Sequence, residues 1–127
     1  AEFAKPVSET DIYLFAGITG DFNPAHINAA YAEQTFFKAR IAHGMLAAGF
    51  ISTVLGTMLP GPGTIYLTQA LTFMAPVLIG DTITARAEVT EKDEAKNKIT
   101  LKTTCTNQKG KVVLDGEAMV SPPRAPK

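Results

Sequence analysis

The sequence predicts an α+β fold in which an antiparallel β-sheet wraps around one long central α-helix. Three observations carry the prediction. No Asp, Glu, Lys or Arg occurs from Ile41 to Gly80, a forty-residue interval that marks the buried centre. Its first part, His43 to Leu59, is apolar or small on every side, the pattern of a helix enclosed by other structure. Everything after Gly63 alternates like half-buried strands. An apolar helix and a sheet with one apolar face both need cover, and each supplies it to the other.

Taken in order, the chain begins with a helix signal at Ser8-Glu9-Thr10-Asp11, where Ser8 can cap and Asp11 can return the bond, with Ile12, Phe15 and Ala16 at helical spacing behind. This helix should end between Gly17 and Gly20. A bent loop follows, then Asn28 can cap a second short helix carrying Tyr31, Ala32 and Thr35. The long helix comes next, and Pro60-Gly61-Pro62-Gly63 stops it. It is too short and too often interrupted, by Gly49, Ser52, Thr53, Gly56 and Thr57, to read as a membrane span. Four strands in a meander are expected after it. The first places Ile65, Leu67, Leu71 and Phe73 at alternate positions and turns back through Ala75-Pro76 and Ile79-Gly80-Asp81. The second faces Ile83, Ala85, Ala87 and Val89 inward; the third Ile99, Leu101, Thr103 and Cys105; the last Val112, Leu114, Ala118 and Val120. Turns fall at Asp93 to Asn97 and Asn107 to Gly110, and Ser121 to Lys127 reads as a Pro-rich frayed end.

With 127 residues, the chain is expected to be one domain spanning residues 1–127. A chain this short, with 46% hydrophobic residues, often completes its core against a second copy, so a homodimer is expected. Twelve basic residues balance twelve acidic ones without long runs of either sign, which argues against a nucleic-acid surface. The one cysteine, Cys105, has no partner for an internal disulfide and reads as a small core residue. No basic stretch followed by an apolar core opens the sequence, so no secretory signal is expected and a cytoplasmic setting fits.

The chemistry concentrates in Asp21-Phe22-Asn23-Pro24-Ala25-His26. A carboxylate, a carboxamide and an imidazole fall within six residues, around a proline that fixes one backbone angle. Gly20 and Asn23-Pro24 bend the chain there, so Asp21 and His26 can be presented together. Histidine titrates near ~6.5 and a carboxylate can be tuned toward it, which outlines a general acid/base pair. The same residues equally suit an Asx-turn in a polar loop. His43 can be a packed residue at the helix start that holds a backbone carbonyl, or a proton carrier.

Three segments together resemble a known family. Gly20-Asp21-Phe22-Asn23-Pro24-Ala25-His26, then Ala42-His43-Gly44-Met45, then Pro60-Gly61-Pro62-Gly63-Thr64, with Pro76 and Gly80-Asp81 further on, are similar to the MaoC-like (R)-specific enoyl-CoA hydratases of the hot-dog fold. The resemblance runs from about Ser8 to Val120. It implies hydration of a trans-2-enoyl thioester to an (R)-3-hydroxyacyl thioester, or the reverse, with an acyl-CoA thioester as substrate. By motif position it implies Asp21 and His26 as the catalytic pair, Asn23 as a supporting carboxamide, Gly44 as the glycine whose backbone N–H binds the thioester oxygen, and Ser52 as a pocket serine near the aspartate.

The physical reading agrees at Gly44. Addition of water places negative charge on the thioester oxygen, and the start of a helix offers unpaired N–H groups to receive it. No metal and no cofactor beyond the substrate's own coenzyme A are expected, because the thioester already acidifies the α-carbon. Tyr66 and Gln69 can line an acyl pocket or a dimer seam. Lys38, Arg40, Arg86 and Lys92 are candidates by charge for the coenzyme A phosphates. Two other functions share these features: a hot-dog acyl-CoA thioesterase, and a non-catalytic acyl-thioester-binding domain.

Overall fold

The computed structural model describes residues 1–124. Its elements in chain order are β1 (Glu2–Pro6), α1 (Glu9–Thr19), α2 (Pro24–Ile27), α3 (Ala29–Glu33), α4 (Gly44–Thr57), β2 (Ile65–Phe73), β3 (Thr82–Asp93), β4 (Lys98–Thr106) and β5 (Val112–Ser121). The helix starts follow their caps. Ser8 and Asp11 close a reciprocal capping box at α1, Gly20 ends that helix in the left-handed region at φ 81°, and the Asn28 side chain accepts from the Tyr31 N–H at α3. Thr35 lies past the end of α3 and bonds back to the Ala32 carbonyl at 2.7 Å.

The sheet has five strands in the order β1-β3-β4-β5-β2, every pair antiparallel. It therefore departs from the expected four-stranded meander in two ways. β1 adds an edge strand against β3, with Phe3 opposite Ala85; Phe3 and Ala4 are adjacent in that segment and its other members are Glu2, Lys5 and Pro6, so no alternation marks it. β2 does not fold back on β3 but crosses to the far edge and pairs with β5. The Met74 to Asp81 connection runs across the start of α4, where the Ala42 N–H reaches the Val77 carbonyl at 2.8 Å and the Gly80 N–H reaches the Val7 carbonyl at 2.8 Å. Pro76 lies within that crossing rather than in a hairpin.

The sheet curls around α4. Phe50, Ile51, Val54 and Leu55 of the helix and Ile83, Ala85, Leu101, Leu114, Ala118 and Val120 of the strands form one core, with Cys105 fully buried among them. Each large aliphatic side chain removed from water there contributes about 1.5–3 kcal/mol. The inward faces of β3 and β4 are those the alternation predicts. In β5 the buried pair is Val113 and Leu114, while Val112 is exposed. A register irregularity between β4 and β5 precedes this point, and Met74 and Ala75 close over the other face by donating to the Val113 carbonyl. Gly116 is required by close approach: a Cβ there would stand 2.0 Å from the Ala70 carbonyl oxygen on β2.

Not all of the uncharged interval is covered. Met45, Gly49, Ser52 and Gly56 form an exposed stripe along α4, and Ile65, Leu67 and Phe73 of β2 are also exposed. Within the described residues no helix is long and apolar enough to cross a membrane. Ser121 ends β5, and the remainder of the expected Pro-rich end, from 125 to 127, lies outside the described residues.

Candidate active site

The loop between α1 and α3 is built from short-range polar bonds that its sequence supplies. The Asp21 N–H donates to Thr19 Oγ1 at 3.2 Å, the Asn23 N–H to Asp21 Oδ1 at 3.2 Å, and the Ala25 N–H to Asn23 Oδ1 at 3.0 Å. Asn23 is thus the cap of the single turn α2, with Pro24 as its first residue and His26 on it. The Asx-turn and the juxtaposition of Asp21 with His26 are the same structure.

His26 is buried, and its Nδ1 lies 2.7 Å from the Ile41 carbonyl oxygen. A carbonyl can only accept, so Nδ1 carries the proton and Nε2 is left as the exchanging atom of the ring. From behind, Arg40 Nε donates to the His26 carbonyl at 2.8 Å while its Nη1 pairs with Glu9 at 2.6 Å and its guanidinium lies 5.2 Å from the centre of the Tyr13 ring. Arg40 is thereby committed to the loop and is not a free phosphate ligand. The Arg40 hydrogen bond, then that of Tyr13, holds the Glu9 carboxyl below the usual carboxylate range. Of the other basic candidates, Arg86 pairs with Glu2 and Glu88 on the sheet, Lys92 sits at the distal end of β3, and Lys38 directly follows Phe37, which lines a cavity at the start of α4.

His43 caps α4 without a side-chain bond to the helix. Its Nε2 instead faces the Asp21 carbonyl oxygen at 2.8 Å, so the holding role considered for it is present. The ring stacks on that of His26 at 4.0 Å between centres and 32° between planes, with Phe15 at 4.7 Å on the other side. His43 Nδ1 is buried without a partner, a feature that costs ~1–3 kcal/mol wherever it occurs.

Gly44 opens α4, so its N–H lacks a helical acceptor. Two cavities meet at it. One, of about 470 Å³, is lined by Asp21, His26, His43 and Phe15; the other, of about 560 Å³, is lined by Phe36, Phe37, Phe73, Val77 and Val113, and both share His26, Gly44 and Met45. The chamber that holds Asp21 and His43 therefore adjoins a second, aromatic-lined one across the start of α4. Sequence reasoning did not reach Phe73 and Met45 as lining residues, since their neighbours there are far apart in the chain.

Ser52 lines neither cavity of the single chain. It sits eight residues beyond Gly44, ~12 Å along the helix, on the exposed stripe. Tyr66 and Gln69 bond to each other on β2 and line neither cavity, Gln69 also donating to Thr103 Oγ1 at 3.0 Å.

Asp21, His26 and His43 bring ligand-type atoms within 4.8 Å of one another. Both rings already spend one nitrogen on a carbonyl, and they lie face to face at 4.0 Å rather than around a common point. A shared ion about 2 Å from each nitrogen needs lone pairs that converge. The arrangement suits an acid/base pair with a helix-start N–H better than a cation.

The MaoC like domain family matches residues 1–111. The chain is 61% identical, over 97% of its length and 85% of the other, to an (R)-specific enoyl-CoA hydratase of Rhodospirillum rubrum. Among solved structures it superposes on R-hydratase PhaJ1 from Pseudomonas aeruginosa with a TM-score of 0.93 at 50% identity, covering 98% of this chain and 80% of that one. The (R)-hydratase of Aeromonas caviae involved in PHA biosynthesis gives 0.94 at 43% identity, covering 97% and 93%. A curled antiparallel sheet around a central helix, a loop that joins Asp21 to His26 beside Gly44, and likeness along nearly the whole chain agree: this protein belongs to the MaoC-like domain family and has its hot-dog fold.

Proposed function

We propose that the chain is an (R)-specific enoyl-CoA hydratase, a hydro-lyase that reversibly converts trans-2-enoyl-CoA to (R)-3-hydroxyacyl-CoA in fatty-acid or polyhydroxyalkanoate precursor metabolism. The observation that carries it is the convergence at the start of α4: Asp21, and His26 with Nδ1 already committed, line one cavity with Gly44, whose N–H has no helical acceptor, and a second cavity with an aromatic lining opens from the same point. The thioester oxygen would rest on the Gly44 N–H, which stabilises the charge that grows there when the β-carbon is attacked. Asp21 and His26 Nε2 would hold the water between them. Its hydroxyl goes to the β-carbon and a proton to the α-carbon, so the pair exchanges protons within the cycle and ends it unchanged. Asn23 supports the pair as the cap of α2. No metal or further cofactor has a step to perform.

A second copy is the proposed partner. β2 is an edge strand bonded on one side only, its apolar residues are exposed, and the stripe on α4 lies open beside the cavities. Ser52, exposed on that stripe, would then face the second copy. The near-zero net charge and the lack of a membrane-length helix among the described residues support a cytoplasmic enzyme that binds neither nucleic acid nor bilayer.

The test is loss of enoyl absorbance on mixing with trans-2-enoyl-CoA substrates of increasing length, with chiral analysis of the product. Formation of (R)-3-hydroxyacyl-CoA without free thiol is expected. Thiol release would make the protein a thioesterase, and binding without turnover would make it a carrier domain.

A further inference from the structure

We propose that His43 is a positioning residue of this site: through Nε2–H it fixes the backbone of Asp21, and through its ring it fixes the plane of His26. The inference rests on the hydratase reading for its activity test, and on geometry alone for its spectroscopic one.

A fully buried imidazole with one nitrogen unpartnered is a poor choice for mere filling, since a phenyl ring would stack as well without an orphaned polar atom. What the imidazole adds is a donor at Nε2, 2.8 Å from the Asp21 carbonyl oxygen. That contact joins residues 22 positions apart and ties the exposed carboxylate-bearing residue to the N-cap of α4, next to Gly44. The stack at 4.0 Å sets the face of His26, whose edge is set separately by Ile41. Asp21, His26 and the Gly44 N–H come from three different elements, and His43 is the one side chain that touches the first two while being bonded in sequence to the third. Misplacement of reacting groups by about 1 Å can cost on the order of 10² in rate without weakening substrate binding comparably.

The experiment separates donor from ring. His43→Phe keeps the stack and removes the donor; His43→Gln keeps a donor of similar reach and removes the ring. With folding verified by circular dichroism, kcat for a short trans-2-enoyl-CoA should fall about 10²-fold in His43→Phe with KM little changed. His43→Gln should recover part of that loss, the remainder reporting the lost stack on His26. Equal activity of the two variants, or loss only in proportion to unfolded protein, would reduce His43 to packing. In parallel, a long-range ¹H–¹⁵N spectrum of the wild-type imidazoles should show His43 with the proton on Nε2. A proton on Nδ1 alone overturns the proposal even if His43→Phe does not fold. If the wild type turns over no enoyl-CoA while the Nε2–H form is present, the hydratase reading fails and the positioning geometry stands.

Discussion

The ring of Phe73 occupies the space that a side chain on Gly44 would need: an added Cβ would lie 2.6 Å from Phe73 Cε1 and 2.8 Å from Cδ1. Phe73 is half exposed, so its ring can swing aside at a cost of about 0.5–1.5 kcal/mol. Gly44→Ala should therefore fold, with a small loss in Tm that Phe73→Ala in the same chain relieves. Turnover should fall on the order of 10²-fold if the Gly44 N–H receives the thioester oxygen as proposed, because the methyl group crowds it. Comparing thermal unfolding with kcat/KM decides the matter. Activity that tracks the folded fraction would make Gly44 a packing glycine only.

Asp21→Asn and His26→Gln preserve size and polarity while removing proton exchange near neutral pH. Each should lower kcat/KM by ~10²–10⁴. If both act on one water, the double variant should be scarcely slower than the slower single one. Near wild-type turnover in either folded single variant would remove that residue from the mechanism.

Arg40→Met leaves the His26 carbonyl without its donor and frees Glu9. A drop in kcat of about 10–10² is expected, with Arg40→Lys between it and the wild type because one ammonium cannot serve both oxygens in the same geometry. Glu9→Gln should do much less, since the bond to His26 survives. The Glu9 pair also has a pH signature: its carboxyl is lowered, so the stabilisation is complete above the ordinary carboxylate range and is lost as pH falls through the lowered value. Being exposed, the pair should weaken with added salt. Acid titration of Tm at two ionic strengths, wild type against Glu9→Gln, measures both effects.

Burial pushes the Cys105 thiol up to about 12, and its Sγ faces the Ala47 carbonyl inside the core. The native protein should resist thiol reagents throughout neutral and mildly alkaline pH, reacting at the rate of unfolding instead. Rapid stoichiometric labelling of folded protein at pH 8 would contradict this placement.

Sedimentation at micromolar concentration should give about twice the 13.5 kDa chain mass. Leu67→Lys, on the free edge of β2, should shift the population toward monomer, as a charge on an edge strand opposes pairing. A wild-type monomer at that concentration would remove the second copy from the account.

Much of this architecture is written in local sequence. Ser8 with Asp11, Asn28 and Gly20 set helix limits through bonds no longer than four residues, and the alternation from Ile83 through Cys105 names the inward face of two strands. What escaped depends on long-range contact. β1 is a strand because β3 offers an edge, not because Glu2 to Pro6 has a pattern of its own. The placement of β2 beside β5 is decided by how the Met74 to Asp81 segment crosses α4. At the site, spacing brought Asp21 and His26 together because six residues suffice to do so. Arg40 looked like a phosphate ligand because charge is visible in a sequence and the acceptor that consumes it, fourteen residues back, is not. Ser52 matched a motif position, but along a helix such a match fixes the distance from Gly44 and not the direction faced.

His43 and Arg40 both grip the loop by main-chain oxygens, those of Asp21 and His26. Neither bond requires the carboxylate or the imidazole that those positions carry. The loop is in this sense held largely apart from the tools mounted on it, and a descendant with Asn in place of Asp21 would keep an acceptor for the Asn23 N–H, and with it the same chamber, the same helix start and the same apolar hollow. Such a chain would hold an acyl thioester without altering it. A binding protein of that kind lies a single codon away from this enzyme, with no refolding between the two.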